Sequence, residues 1–231
     1  MANHNQSPLL VLVCKRPSLG VGKQRIATVF GKAKTVELAK RLLACAFEDL
    51  VAWPFATAIS VASDKDVQWA QTKVPTAQVL PQSDGNLGER LSDACQRLRV
   101  DDQPIMLIGA DAPELTLQYL QDCLLAFERA DVVLGQAHDG GVVVMGAKTP
   151  WPPLHALPWS TAELGSALHA QCSAYGLKVA TLPPIADIDR FDQLDGLAQR
   201  ISNDPRPARQ ALCHWITDNI SVAADTYSAT V

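Results

Sequence analysis

The sequence predicts a single α/β domain built on a mainly parallel sheet, and three observations carry that prediction. Short apolar runs recur along the chain, each followed by a segment of helical periodicity; strands separated by helices of about 10–15 residues are the mark of βαβ units. No internal repeat or low-complexity linker divides the 231 residues, a length that one large domain accommodates. The hydrophobic fraction of 48% lies in the globular range and excludes wholesale disorder. Residues 8–220 are read as the domain and 221–231 as a mobile C-terminal tail. One Asp-Gly turn between two Val-rich runs adds a local antiparallel hairpin to the sheet.

Leu9–Cys14 (LLVLVC) is a continuous apolar run, as expected of a strand buried on both faces. The Pro- and Gly-containing stretch Arg16–Gly22 is a loop. Thr35–Leu50 sets Leu38, Leu42, Ala46 and Leu50 on one stripe of an amphipathic helix. Phe55–Ala62 is a second strand, and Ser63, with Asp66 three residues on, opens a short helix toward Lys73. Ala77–Leu80 is a brief third strand. After the polar loop Gln82–Asn86, a helix carries Leu87, Leu91, Ala94, Cys95 and Leu98. Pro104–Gly109 is another buried strand, ending in Ala110-Asp111-Ala112-Pro113. Thr116 caps a helix with Leu120, Leu124 and Phe127. Strands at Asp131–Gly135 and Val142–Gly146 flank the turn His138-Asp139-Gly140-Gly141. Ser160-Thr161-Ala162-Glu163 reads as a capping box whose helix stops at Gly176. Leu177–Leu182 is the last strand before Asp187-Ile188-Asp189, and helices near Asp192–Ile201 and Ala208–Ile220 close the domain.

Charge and cysteine usage narrow the function classes. Lys plus Arg number 20 and Asp plus Glu 24, a formal charge of −4 that argues against a nucleic-acid coat. The six cysteines are scattered, with no CxxC pair, and read as buried thiols of an intracellular chain rather than a disulfide framework or zinc site. No Lys or Arg precedes the apolar run at Leu9, and that run is far short of a signal-peptide core or of the ~20 residues a membrane span needs. A cytoplasmic location without a membrane span is expected.

In an open α/β sheet, ligands sit beyond the carboxyl ends of the strands, which directs attention to the loops after Cys14, Gly109 and Leu182. The first combines Gly20 and Gly22 with Lys15, Arg16, Lys23 and Arg25. Glycines let backbone N–H groups approach a polyphosphate while the cations neutralise it; the alternative is a basic surface turn. The loop is not a Walker A motif, since Pro17 stands at the first Gly and Gln24 follows the Lys, nor a dinucleotide fingerprint, since Arg25 replaces the third Gly. Asp111, at the end of an apolar strand, can hold Mg²⁺ or Mn²⁺ against a diphosphate or serve as a turn residue. Asp187 and Asp189 can join the same ion or form an acidic surface turn. Asp139 suits a hairpin turn and an active-site carboxylate equally. His138 reads as an exposed turn residue, and Trp159 as a hydrophobic anchor beside a helix cap.

Taken together, these segments resemble the glycosyltransferase-A-like family that includes small bacterial transferases encoded beside radical-SAM and selenium or arsenosugar genes. The family's first loop, Lys-x-Pro-x-x-Gly-x-x-Lys-Thr-Arg-Leu, is matched at Lys15, Pro17, Gly20, Lys23 and Arg25. Its Gly-x-Leu-Gly-x-Arg is matched by Gly85–Arg90, including Gly88, and its Gly-Thr-Asp-x-Pro by Gly109–Pro113. Its Leu-Gly-Pro-x-x-Asp-Gly-Gly-Tyr corresponds to Leu134–Val142, with Trp-Ser-Thr at Trp159–Thr161 and Asp-x-Asp at Asp187–Asp189 completing the order. The similarity covers roughly residues 9–200 and implies a nucleotide-diphospho-sugar transferase fold with a divalent metal. By that resemblance Asp111 is the metal-binding acidic position, Lys23 and Arg25 face the phosphates, and Arg90 lies in the nucleotide pocket with Lys15, Pro17, Gly20, Gly22 and Gly88. Gln24, Gln136 and Val142 depart from the family's Thr, Pro and aromatic residue.

The function expected is a metal-dependent glycosyltransferase that takes a nucleotide-sugar donor and a small-molecule acceptor. Asp111, Asp187 and Asp189 would hold Mg²⁺ or Mn²⁺; Lys23 and Arg25 would stabilise charge on the departing nucleotide, and Asp139 would deprotonate the acceptor. Two alternatives stand beside it. One is a nucleotidyltransferase joining an NTP to a phosphorylated small molecule, suggested by the similarity of Gly20–Arg25 to a Gly-x-Gly-x-Arg signature with one extra residue. The other is a non-catalytic nucleotide-binding module, suggested by the three departures.

Overall fold

The computed structural model describes residues 7–101 and 103–228, with side chains through Ile220. Among these, the strands β1 (Leu9–Cys14), β2 (Thr57–Val61), β3 (Gln78–Pro81), β4 (Ile105–Ile108), β5 (Val132–Ala137), β6 (Val142–Ala147) and β7 (Val179–Ile185) form one seven-stranded sheet. Their order is β3-β2-β1-β4-β6-β5-β7. β6 runs antiparallel to both neighbours, β4 and β5, and every other pair is parallel. The expected hairpin is therefore present, and its second strand is inserted between β4 and β5 rather than added at an edge.

The apolar runs are continuous because the central strands are covered on both faces: β2 and β4 are buried at every position, and β1 at every position but Val13. The helices are α1 (Gln24–Ala52), α2 (Val67–Gln71), α3 (Leu87–Leu98), α4 (Leu117–Ala126), α5 (Leu164–Ala174), α6 (Gln193–Ile201) and α7 (Pro207–Ser228). Leu10, Leu12, Ile59 and Met106 pack on one side against Leu43 and Leu50 of α1 and Leu120 of α4. Val11, Leu107 and Leu134 face the other way, against Leu91 of α3 and Leu168 of α5. A third cluster joins Leu38 and Leu42 of α1 to Leu197 of α6 and Leu212 and Ile216 of α7, so these two helices form an outer layer on α1.

Caps explain several boundaries. Thr116 accepts a hydrogen bond from Tyr119 N at 3.1 Å, as its position predicts. A true capping box starts α3, where the Asn86 side chain accepts from Glu89 N and Glu89 Oε2 accepts from Asn86 N. The box expected at Ser160–Glu163 does not form. Ser160 adopts a left-handed conformation (φ 65°), and α5 starts only at Leu164, after Glu163. The first long helix starts at Gln24 rather than near Thr35. It bends at Gly31 (φ 74°, ψ 162°), which takes Ile26 and Phe30 out of phase with the stripe that begins at Leu38. α7 runs past Ile220 and takes in the first part of the segment set apart as a tail; residues 229–231 lie outside the described residues.

The six cysteines are free thiols. Burial pushes Cys14, Cys45 and Cys123 up to about 12, and Cys95 and Cys172 up to about 11, so these five act as small apolar packing groups.

One buried ionic cluster ties the outer layer to the sheet. Arg209 of α7 is fully buried. Its guanidinium donates to Asp49 Oδ1 and Oδ2 at 2.7 and 2.6 Å, to Glu48 Oε2 at 2.9 Å, and to the carbonyls of Cys45 and Pro113. Arg206 adds a 3.0 Å bond to Asp49 and a 2.8 Å bond to the Leu115 carbonyl. The chain just beyond β4 is thus clamped to α1 and α7. Arg209→Ala is expected to lower the unfolding free energy by about 3–5 kcal/mol, the usual consequence of stranding a buried carboxylate. Urea denaturation of the two proteins measures the difference.

Candidate active site

Three loops at the carboxyl ends of the strands meet at one ammonium group. The first loop turns at Gly20 (φ 78°) and Gly22 (φ 69°) and ends at Lys23, itself left-handed (φ 51°) at the start of α1. Glycine takes such angles without steric cost, and the Lys23 side chain reaches the segments after β4 and β7. That side chain is only 7% exposed. Its Nζ lies 2.9 Å from Asp111 Oδ1, 2.9 Å from Asp189 Oδ1, and donates to the Ile188 carbonyl. The backbone N–H of Ile188 donates to the Asp111 carbonyl at 2.9 Å, which joins the loop after β4 to the segment after β7. Burial works against the charge on Lys23, but the two carboxylates outweigh it and hold the group above the usual lysine range, so it remains an ammonium.

A cavity of about 600 Å³ opens above this cluster. Lys15, Pro17, Gly22 and Arg90 line it, with Asp111 and Asp189 at one side and apolar residues such as Leu107 and Met145 beneath. Arg90 is held by a 2.9 Å bond to the Gly85 carbonyl. Three residues expected at the nucleotide, Gly20, Gly88 and Arg25, are not in this wall. Gly20 forms the turn of the loop, and Gly88 lies under the 154–159 segment, where an added Cβ would sit 2.2 Å from the Leu154 carbonyl oxygen. Trp159, read as an anchor, donates from Nε1 to that carbonyl at 2.9 Å and also lines the cavity.

A second cavity, about 570 Å³, lies against the same segment after β7. Asp139, Asp187 and Asp189 each offer one carboxylate oxygen here, all within 4.8 Å of one another. Asp139 is also the turn residue its sequence suggests, since its Oδ1 accepts from Gly141 N at 2.9 Å. Gly140 (φ 91°) lies so close to the segment leading into α5 that an added Cβ would be 2.0 Å from the Ala162 carbonyl oxygen. The Gly140 carbonyl accepts from Gly165 N, so the turn is pinned beside the acidic segment. Burial, then the charges of Asp139 and Asp189, push the Asp187 carboxyl up to about 6. Asp111 is not in this trio; it stands across Lys23 from Asp189. Arg25, expected beside the phosphates, lines the second cavity with His138, Arg190 and Arg200. Asp189 belongs to both walls.

Three clustered carboxylates form a hard oxygen donor set of the kind Mg²⁺ and Mn²⁺ prefer, so the residues fit a divalent ion. Arg190 and Arg200 were not singled out by sequence; both belong to the 190–200 segment, whose sequence carries no motif.

Residues 36–161 match the family described as an uncharacterised protein conserved in bacteria, DUF2064. The chain belongs to this family. Among curated proteins, no sequence matches it. Among solved structures, a provisionally named nucleotide-diphospho-sugar transferase from Desulfovibrio desulfuricans G20 is similar with a TM-score of 0.80 at 22% identity, over 94% of this chain and 97% of that one. A cytidylyltransferase from Leptospira borgpetersenii gives 0.51 at 14% identity, over 94% and 95% of the two chains. The manganese complex of Rv0371C from Mycobacterium tuberculosis H37Rv gives 0.50 at 13% identity, over 82% and 97%. At these identities the likeness is one of fold, and it bears out the mixed α/β nucleotide-diphospho-sugar transferase-like architecture. Among the described residues, no helix is long and apolar enough to cross a membrane.

The raised carboxyl of Asp187 makes the trio a cost to stability in metal-free protein. The protonated form stabilises the fold fully below the ordinary value of 3.8, and this stabilisation is lost as pH rises through about 6. In buffer with EDTA, Asp187→Asn is therefore expected to melt higher than wild type near neutral pH, with the difference shrinking toward pH 4. Melting curves across that range check it; a difference independent of pH contradicts the raised Asp187 carboxyl.

Proposed function

We propose that the protein is a cytoplasmic, divalent-metal-dependent transferase that binds a nucleotide-sugar donor in the first cavity and passes the sugar to a small-molecule acceptor in the second. The observation that carries this is the position of Lys23: a buried ammonium, bonded to Asp111 and Asp189, where the two cavities adjoin. A group being transferred from one cavity to the other would pass this charge.

Lys15, Lys23 and Arg90 supply cations to a diphosphate, and Lys23, already oriented by its two carboxylates, would stabilise the charge that grows on the departing nucleotide. Asp187 and Asp189, with Asp139 or Asp111 as the third carboxylate, would hold Mg²⁺ or Mn²⁺. Asp111 and Asp189 share Lys23 Nζ, so for these two to hold an ion together the ammonium would have to leave. An ion among Asp139, Asp187 and Asp189 leaves Lys23 facing the phosphates, and the 4.8 Å clustering of those oxygens favours it. When bound, the ion neutralises the diphosphate as a Lewis acid. Asp139, exposed at the rim of the second cavity, is placed to accept a proton from an acceptor hydroxyl. Asp139→Asn separates its two roles: a ligand loses ion binding, and a base loses turnover with ion binding retained.

A nucleotidyltransferase is the second reading, favoured by the Gly20–Arg25 loop and by the likeness in fold to a cytidylyltransferase. Product analysis with Mn²⁺ decides between them. Nucleoside diphosphate from a sugar nucleotide supports glycosyl transfer; pyrophosphate from an NTP supports nucleotidyl transfer; binding without turnover across both panels leaves a binding module. In whichever reaction is found, Lys23→Ala is expected to lower the turnover rate by about 10²–10³-fold, the magnitude typical of removing one oriented charge-stabilising group. Steady-state rates, with melting curves to confirm folding, measure the loss.

A further inference from the structure

We propose that the second cavity takes an anionic acceptor, a small hydroxylated phosphate ester or carboxylate, with Arg25 as the residue that binds its anionic group. The word acceptor rests on the transferase reading above; the anion site does not.

The charges in this cavity are spent unequally. Arg190 forms a paired bond to Asp192, with Nε and an Nη each 3.0 Å from a carboxylate oxygen. Arg200 donates to Glu114 at 2.8 Å. The Arg25 guanidinium, although it shares the wall with Asp139, Asp187 and Asp189, has no hydrogen bond or ion pair with any described residue. A guanidinium that leaves three nearby carboxylates unbonded keeps its planar fork of donors for a ligand, and that fork matches phosphate or carboxylate. Gln193 adds to it. Its Oε1 accepts from the N–H groups of Asp189 and Arg190 at 2.8 and 2.7 Å, while its amide donors have no partner among the described residues. Gly196 keeps the space beside Arg200 open, because an added Cβ would lie 3.0 Å from the Arg200 guanidinium.

The acidic trio then sets the ligand's direction. Without a bound ion, Asp139, Asp187 and Asp189 repel the anionic group and Arg25 attracts it, which leaves a hydroxyl to face the carboxylates. The volume of about 570 Å³ suits a small molecule. A neutral sugar or polyol would engage neither Arg25 nor this orientation.

The test is calorimetric titration of the full chain in EDTA buffer with glycerol 3-phosphate, lactate and glycerol, and separately, in Mn²⁺ buffer, with UDP and CDP. Wild type is expected to bind at least one of the two anions ten-fold or more tightly than glycerol, and the tighter anion identifies the group as phosphate or carboxylate. Arg25→Gln should remove that preference, and Arg25→Lys should restore part of it. Equal affinity for the anions and glycerol, or an Arg25→Gln variant that binds like wild type, overturns the proposal. Nucleotide binding reports on the first cavity: its absence in wild type would count against the transferase reading and leave the anion result standing. A melting temperature like that of wild type shows that Arg25→Gln is folded.

Discussion

A charged ammonium cannot be withdrawn from water unless its surroundings replace the lost solvation, and Lys23 is withdrawn almost completely. Its three partners come from two loops far apart in sequence: Asp111 after β4, and Ile188 and Asp189 after β7. Lys23 itself follows β1. The ends of three strands must therefore converge for the charge to be tolerated, and the bond from Ile188 N to the Asp111 carbonyl locks two of them in that position. The division into two cavities follows, because the cluster lies where one wall becomes the other.

The rest of the fold keeps this meeting point in register. β6 runs against its neighbours and returns the chain through the Asp139 turn, which α5 pins at Gly140. On the other side, Arg209 and Arg206 hold the carbonyls of Pro113 and Leu115, a few residues beyond Asp111. Stability and chemistry make opposite demands here. The buried Arg209 and half-buried Arg206 are matched by Asp49, Glu48 and Asp204, whereas in the second cavity burial, and then the charges of Asp139 and Asp189, raise the proton affinity of Asp187. Three carboxylates gathered beside a single ammonium leave the net negative charge that a site for a divalent ion requires.

Much of this could be read from the sequence, and what could not has identifiable causes. Runs such as Leu9–Cys14 and the cap at Thr116 are local signals, and they place strands and helices to within a few residues. The segment 24–30 gives no helical signal in phase with Leu38–Leu50 because Gly31 breaks the periodicity, and Ser160 has the residue type of a cap but takes a left-handed conformation that residue type does not reveal. Residue types likewise pointed to Lys23, Asp111, Asp139, Asp187 and Asp189, each with a bland alternative. Only the tertiary structure brings Asp139 beside Asp187 and Asp189, sets Asp111 across Lys23 instead, and turns Arg25 toward the second cavity. The burial of Arg209 has no local sign at all, since its carboxylate partners lie about 160 residues away in sequence.

The most direct experiment is diffraction from crystals soaked in Mn²⁺, recorded at the manganese edge. An ion held by the clustered carboxylates would give an anomalous peak with oxygens of Asp187 and Asp189 at coordination distance, about 2.0–2.6 Å, and with Lys23 still bonded to Asp111. A map with no peak at this cluster, or with manganese bound only elsewhere, would contradict a metal site at the junction of the two cavities.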